Sequence, residues 1–253
     1  LHFLLGFDKL SCYIITKYHA IINNITERYV KNTMRNPLTS LLAPHYCCSC
    51  DGVGALLCEH CKYDIINEPY EACILCHRLA KPAENLCSSC AASFTHAWCA
   101  GDRREGLREL IDRYKFERTR AAYAPLAGLL DATLPSFPAD ITVVSVPTIT
   151  PHIRIRGYDH AALIAKKFAR LRALPYAPTL VRTSNTVQRG AGRKQRFEQV
   201  KQAFAAEACS GRYLLIDDIS TTGATLEYAS RALLNAGADE VWVAVVAAQP
   251  LEK

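Results

Sequence analysis

The sequence predicts an α/β chain, a mostly parallel sheet covered by helices on both faces, preceded by a small cysteine-rich segment. Three observations carry this. Eight of the twelve cysteines fall in four Cys-x-x-Cys pairs between residues 47 and 90. From residue 103 onward, short apolar runs alternate with stretches of helical periodicity. One of those runs, Leu214-Leu-Ile-Asp-Asp-Ile-Ser-Thr-Thr-Gly-Ala-Thr225, ends in adjacent acids and a loop of small hydroxylated residues.

Length allows a medium domain plus a small one, since the chain has 253 residues. Half the residues are apolar and about a fifth are charged, a globular balance. The net charge of +6 admits a polyanionic ligand or nucleic acid without requiring either. Residues 1–33 are rich in Ile, Asn, Tyr, Phe and Leu, whereas the chain beyond is rich in Ala and Arg. Met34 is the only methionine and the expected start, so residues 1–33 are expected to be non-native sequence within an N-terminal extension of residues 1–43. Residues 44–99 would form the cysteine domain and 100–253 the larger domain. Asp8, Lys9, Lys17, Glu27 and Arg28 interrupt the early apolar runs, which stay short of the roughly 18 residues of a spanning helix. No membrane span and a cytoplasmic location are therefore expected.

The cysteine pairs are Cys47/Cys50, Cys58/Cys61, Cys73/Cys76 and Cys87/Cys90. A two-residue spacer lets both thiolates of a knuckle face one metal, and two knuckles complete a tetrahedral shell. Eight ligands make two structural Zn2+ sites, which contribute folding energy rather than chemistry. Short gaps favour sequential sharing, Cys47, Cys50, Cys58 and Cys61 on one ion and Cys73, Cys76, Cys87 and Cys90 on the other, with crossed sharing still open. A disulfide framework suits small secreted domains and fits poorly ahead of a large enzyme-like domain. Redox motifs of this type usually occur singly. Sulfur ligands alone do not choose the metal, so iron–sulfur ligation stays open. Cys12, Cys48, Cys99 and Cys209 read as small apolar residues, and His60 and His77 as bystanders inside knuckles. The rival role for these ribbons is contact with nucleic acid or a partner protein.

Along the larger domain, Leu107, Leu110, Ile111 and Tyr114 share one helical face over 103–115. Further helices are expected over about 120–132, 159–172 and 223–236, the last closed by Gly237. Strands are expected at 141–146, near 179–182, at 213–218 and at 241–247. The sequence contains neither Gly-x-x-x-x-Gly-Lys nor Gly-x-Gly-x-x-Gly, which removes support for ordinary triphosphate and dinucleotide folds.

In a parallel sheet, ligands bind where the strands end at their carboxyl side. There Asp217 and Asp218 suit ribose hydroxyls or Mg2+. A strand would point them to opposite faces, but at a frayed end both could turn toward a ligand. Ser220, Thr221, Thr222, Gly223, Ala224 and Thr225 form a loop at a helix N-terminus that suits a phosphate. A lone helix cap would need only one such residue. After the strand at 141–146, Arg154, Arg156 and Gly157 suit a diphosphate, because guanidinium donors match phosphate oxygens. Thr186–Arg196, with Arg189, Arg193, Lys194 and Arg196 among glycines, reads as a basic loop able to close over a polyanion, or as a solvated one. Lys115 is either a ligand contact or a surface cation.

These residues resemble a known family. Asp217–Thr225 resembles the phosphoribosyl-diphosphate (PRPP) motif of type I phosphoribosyltransferases, and the layout over about 44–248 resembles the ComF (ComFC/GntX-like) family. Beyond the loop, the resemblance rests on the paired cysteine ribbons, on Tyr114-Lys-Phe116 and on Arg156-Gly-Tyr-Asp-His160. Family members usually carry Arg-Gly-Phe-Asn-Gln at that last motif. The resemblance implies a type I phosphoribosyltransferase fold behind a double zinc ribbon, with PRPP and Mg2+ as ligands. It implies that Asp217 and Asp218 hold the ribose hydroxyls, that Thr221–Thr225 cradles the 5-phosphate, and that Arg156 lies near the diphosphate. The implied reaction is displacement of diphosphate by an acceptor, in DNA uptake or nucleotide metabolism; no residue stands out as general base. The rivals are a PRPP or nucleotide sensor without turnover and a module of the competence machinery that binds single-stranded DNA, for which nearby aromatics (Phe197, Phe204) are few.

Overall fold

The cysteine segment builds the same knuckle twice. In the first, the Cys47 N–H donates to Gly52 O and the Asp51 N–H to Cys47 O, each at 2.9 Å. In the second, the Cys73 N–H donates to Arg78 O at 2.8 Å and the His77 N–H to Cys73 O at 2.9 Å. An antiparallel bridge closes each turn, Tyr46 with Val53 and Ala72 with Leu79. Each turn also puts the residue after its second cysteine in the left-handed region, Asp51 at φ 57° and His77 at φ 59°. A helix, α1 (Glu59–Asn67), begins inside the first ribbon, where Cys58 Sγ accepts from the Cys61 N–H.

This computed structural model describes residues 44–81, 83–183 and 203–249. The expected extension with Met34, and the basic loop with Arg193 and Arg196, lie outside the described residues. After the ribbons come β1 (His96–Asp102), α2 (Glu105–Phe116), a short 3-10 turn (Arg120–Ala122), α3 (Tyr123–Thr133), β2 (Thr142–Ser145), α4 (Thr150–Arg156) and α5 (His160–Arg172). The chain continues through β3 (Leu180–Arg182), β4 (Phe204–Ala206), β5 (Arg212–Ser220), α6 (Ala224–Asn235) and β6 (Glu240–Ala248). Strands β1, β6, β5 and β2 lie side by side in that order, every neighbouring pair parallel. β3 and β4 form a separate antiparallel ladder packed on α6.

Side chains of β5 alternate between two cores, as a pleated strand requires. Leu214 and Ile216 join one core with α2, α3 and α5, and Cys47, Leu56, Leu57 and Cys61 of the first ribbon belong to it. Tyr213 and Leu215 join the other with α6, and Cys73, Ile74, Leu86 and Phe94 of the second ribbon belong there. The two cysteine segments therefore serve opposite faces of one sheet.

The expected helices and strands are present, with ends shifted by a few residues. β1 was not expected. Its run His-Ala-Trp-Cys-Ala-Gly-Asp lacks the β-branched residues that mark a strand, and it straddles the expected division at residue 99. β1 is the edge of the sheet, and Asn85 of the second ribbon covers it. The Asn85 N–H donates to Ala97 O at 2.7 Å, its Oδ1 accepts from the Cys99 N–H at 2.7 Å, and its carbonyl accepts from the Ile74 N–H at 2.9 Å. None of the described helices is long and apolar enough to cross a membrane.

Candidate functional site

β5 runs through to Ser220, so Asp217 and Asp218 sit inside the strand and not at a frayed end. This corrects the expectation of a frayed strand end at the acids. Both are buried, and strand alternation sends them to different surroundings.

Asp218 lies on the face of α2 and α5. Its Oδ2 is 2.9 Å from Lys115 Nζ, near the end of α2, and 2.7 Å from His160 Nε2, at the start of α5. Burial alone would raise the Asp218 carboxyl, but Lys115 and then His160 outweigh it and hold the group well below the usual carboxylate range. Lys115 is thus a half-buried partner of Asp218, already paired rather than a free surface cation.

Two tyrosines hold the ends of α2 and α5 in register. The Tyr158 hydroxyl donates to Tyr114 O at 2.5 Å, and the Tyr114 hydroxyl donates to His160 O at 2.9 Å. Their rings stack at 5.2 Å. Asp159, a departure from the family pattern, caps α5 by accepting from the Ala162 N–H and also accepts from the Thr148 hydroxyl. The second departure, His160, has Arg156 Nη1 at 2.9 Å from its Nδ1. A guanidinium has no acceptor, so Nδ1 presents its lone pair and the ring proton faces Asp218 from Nε2. Arg156 also lies over the Phe116 ring at 5.9 Å. Gly157 ends α4 immediately behind Arg156.

Asp217 Oδ1 accepts from the Asp218 N–H at 2.8 Å, and Arg182 interacts with Asp217 by charge. Burial, then the charge of Asp218, pushes its carboxyl up to about 7. One acid is firmly ionised and its neighbour titrates near neutrality. His160, Asp217 and Asp218 bring their ligand atoms within 4.8 Å of one another.

The loop after β5 leads into α6, whose first-turn N–H groups lack partners within the helix. Ser220 is buried, and its hydroxyl donates to Ile74 O at 3.0 Å. Thr221 is exposed, Thr222 and Thr225 are half-buried, and Ala224 opens the helix. Thr222 Oγ1 accepts a long contact from the Ala224 N–H at 3.4 Å. Gly223 takes the left-handed conformation at φ 70°, and a Cβ there would lie 1.9 Å from Leu75 Cδ2. His77 Nε2 stands 2.9 Å from Thr221 O, with Nδ1 2.9 Å from the Tyr70 hydroxyl. His77 is thus no bystander to the loop. No spacing rule could have found this contact, because the partners are separated by most of the chain.

The sulfurs group sequentially, Cys47, Cys50, Cys58 and Cys61 in one cluster and Cys73, Cys76, Cys87 and Cys90 in the other, each within 4.8 Å. A four-sulfur shell with bonds of about 2.3 Å spaces its sulfurs by about 3.8 Å. The Cys50–Cys58 and Cys76–Cys87 Sγ pairs are 3.7 and 3.6 Å apart, which fits such a shell. Cys99 is a buried small residue, as expected, its Sγ against Gly101 O.

Comparison with known proteins bears on this arrangement. The phosphoribosyl transferase domain family matches residues 178–253, which include the acid strand, the loop and α6. Competence protein F of Haemophilus influenzae is 29% identical over 204 residues, covering 74% of this chain and 88% of that protein. DNA utilization protein YhgH of Escherichia coli K12 is 27% identical over 216 residues, covering 74% and 94%. Among solved structures, the glutamine PRPP amidotransferase from B. subtilis, complexed with ADP and GMP, aligns at 20% identity and a TM-score of 0.38, over 54% of this chain and 30% of that one. An allosteric regulatory enzyme of purine biosynthesis aligns at 23% identity and a TM-score of 0.35, over 49% and 26%. The chain thus spans less than a third of either structure. Paired cysteine clusters, the matched domain and relatives aligned over most of their length support a phosphoribosyltransferase-like protein of the ComF family.

Proposed function

We propose that the chain binds PRPP with Mg2+ at the carboxyl end of β5 and transfers its phosphoribosyl group to an acceptor, in DNA uptake or nucleotide metabolism. The observation that carries this is the buried Asp217–Asp218 pair running directly into a loop at a helix N-terminus. In this reading the acids accept from the ribose hydroxyls, and Ser220–Thr225 receives the 5-phosphate on backbone N–H groups. Arg156 and Gly157, with Arg193 and Arg196, serve the diphosphate. Lys115 and His160 keep Asp218 ionised, so a fixed negative charge stands near the anomeric carbon as positive charge develops there. Magnesium, when bound, neutralises charge on the leaving diphosphate. Mg2+ prefers carboxylate, substrate oxygen and water, which favours Asp217 as its protein contact over the already paired Asp218. The two cysteine clusters are assigned structural Zn2+.

The names of the relatives support a place beside DNA uptake and competence. Calorimetric titration with PRPP and Mg2+ tests the reading. Wild-type protein should bind and the Asp217→Asn/Asp218→Asn variant should not; failure of the wild type to bind would overturn it. Binding without release of diphosphate for any acceptor would make the protein a sensor. Salt-sensitive binding of single-stranded DNA that persists in the double variant would point to a DNA module instead.

A further inference from the structure

The second cysteine knuckle and the phosphate loop meet at three points. The Ser220 hydroxyl donates to Ile74 O, Leu75 fills the space over Gly223, and His77 Nε2 faces Thr221 O at 2.9 Å. Residues 73–77 thus engage the loop at both ends and in its middle. A carbonyl only accepts, so His77 carries its proton on Nε2, and the Tyr70 hydroxyl donates to Nδ1. The first knuckle makes the same internal hydrogen bonds, but the residue equivalent to His77 is Asp51, which is exposed.

We propose that Ile74, Leu75 and His77 are positioning residues for the phosphate loop, so that metal at the second cysteine centre, and not at the first, sets how well Thr221–Thr225 is ordered for a phosphate. The knuckle's turn is held by the two cysteines that flank Ile74 and Leu75. Metal loss would release that turn and with it three supports of the loop. The positioning of the loop stands on these contacts alone; the consequence for PRPP affinity rests on the function proposed above.

The test uses the full chain. Amide hydrogen exchange over residues 219–226 is measured without ligand in wild type, His77→Ala and His77→Gln, with zinc counted per chain. His77→Ala should keep its metal and exchange about tenfold faster in the loop, the equivalent of one lost hydrogen bond. His77→Gln retains an N–H donor and should recover much of the protection. Unchanged exchange in His77→Ala, or no recovery in His77→Gln, would overturn the proposal, whether or not PRPP binds. Cys76→Ser/Cys90→Ser should lose one metal and loop protection together, while Cys47→Ser/Cys50→Ser should lose one metal and leave the loop protected. Equal loss of protection in both would refute the distinction; if neither variant folds, the His77 pair still decides. PRPP titration then follows: wild-type binding that His77→Ala weakens about tenfold supports the link to affinity. Binding unchanged by His77→Ala breaks that link, and no binding by wild type breaks the functional reading instead.

Discussion

The two cysteine centres share one backbone design and differ in what they touch. At the same position in each knuckle, a side chain abuts a glycine at the start of a helix. Ser49 faces Gly106 in the first turn of α2, where a Cβ would lie 2.4 Å from Ser49 Cβ. Leu75 faces Gly223 before α6, where a Cβ would lie 1.9 Å from Leu75 Cδ2. The first centre thus braces a helix at the end remote from Lys115, while the second braces the candidate phosphate loop itself. A duplicated module can therefore stabilise at one site and position a ligand loop at the other, depending on which helix start it meets.

The largest expected effect is on the shared property. Cys47→Ser/Cys50→Ser and Cys73→Ser/Cys76→Ser should each cost on the order of several kcal/mol, seen as a large drop in Tm with loss of one zinc. An unchanged Tm in either would remove the structural-metal assignment for that centre. Next, Lys115→Met takes one cation from buried Asp218 and should cost about 3–5 kcal/mol, measured by denaturant unfolding. A cost near zero would mean that His160 alone satisfies the acid.

Smaller effects separate the two glycines. Gly106→Ala must displace the Ser49 backbone, whose Cα lies 2.8 Å from the new atom, and should cost about 1–3 kcal/mol with little change in PRPP affinity. Gly223→Ala meets the mobile end of Leu75 and adds left-handed strain of about 1–2 kcal/mol, so its main effect should fall on affinity. Reversed outcomes would break the comparison.

A separate effect is a pH dependence. Asp217 is raised from 3.8 to about 7, so between those values the folded chain holds more protons than the unfolded one. Its contribution to stability is full below 3.8 and is lost as pH rises through about 7. Asp217→Asn lacks this loss, and its stability advantage over wild type should widen between pH 5 and pH 8, then level off. A constant difference would show that Asp217 stays ionised throughout.

Much of this fold could be read from apolar periodicity. Leu107, Leu110, Ile111 and Tyr114 do form the buried face of α2, and the run at 213–218 is the interior of β5. β1 escaped because alanine, cysteine and glycine carry little strand signal. The acids were visible as a pair, but their depth was not, since local sequence does not show how far a strand continues under neighbouring helices. Lys115 and His160 meet Asp218 across three elements, and His77 meets Thr221 across 144 positions. Such contacts arise only when the sheet order places β5 between the helices of one face and the ribbon of the other.

The cover that Asn85 gives to β1 carries a consequence. An uncovered edge strand is a template for pairing with another chain, and this one presents an apolar run through Ala97, Trp98 and Cys99. Asn85 lies between Cys76 and Cys87, inside the loop that the second centre closes. Loss of metal from that centre would free the loop and leave the edge bare, open to pairing with another chain before any ligand is met.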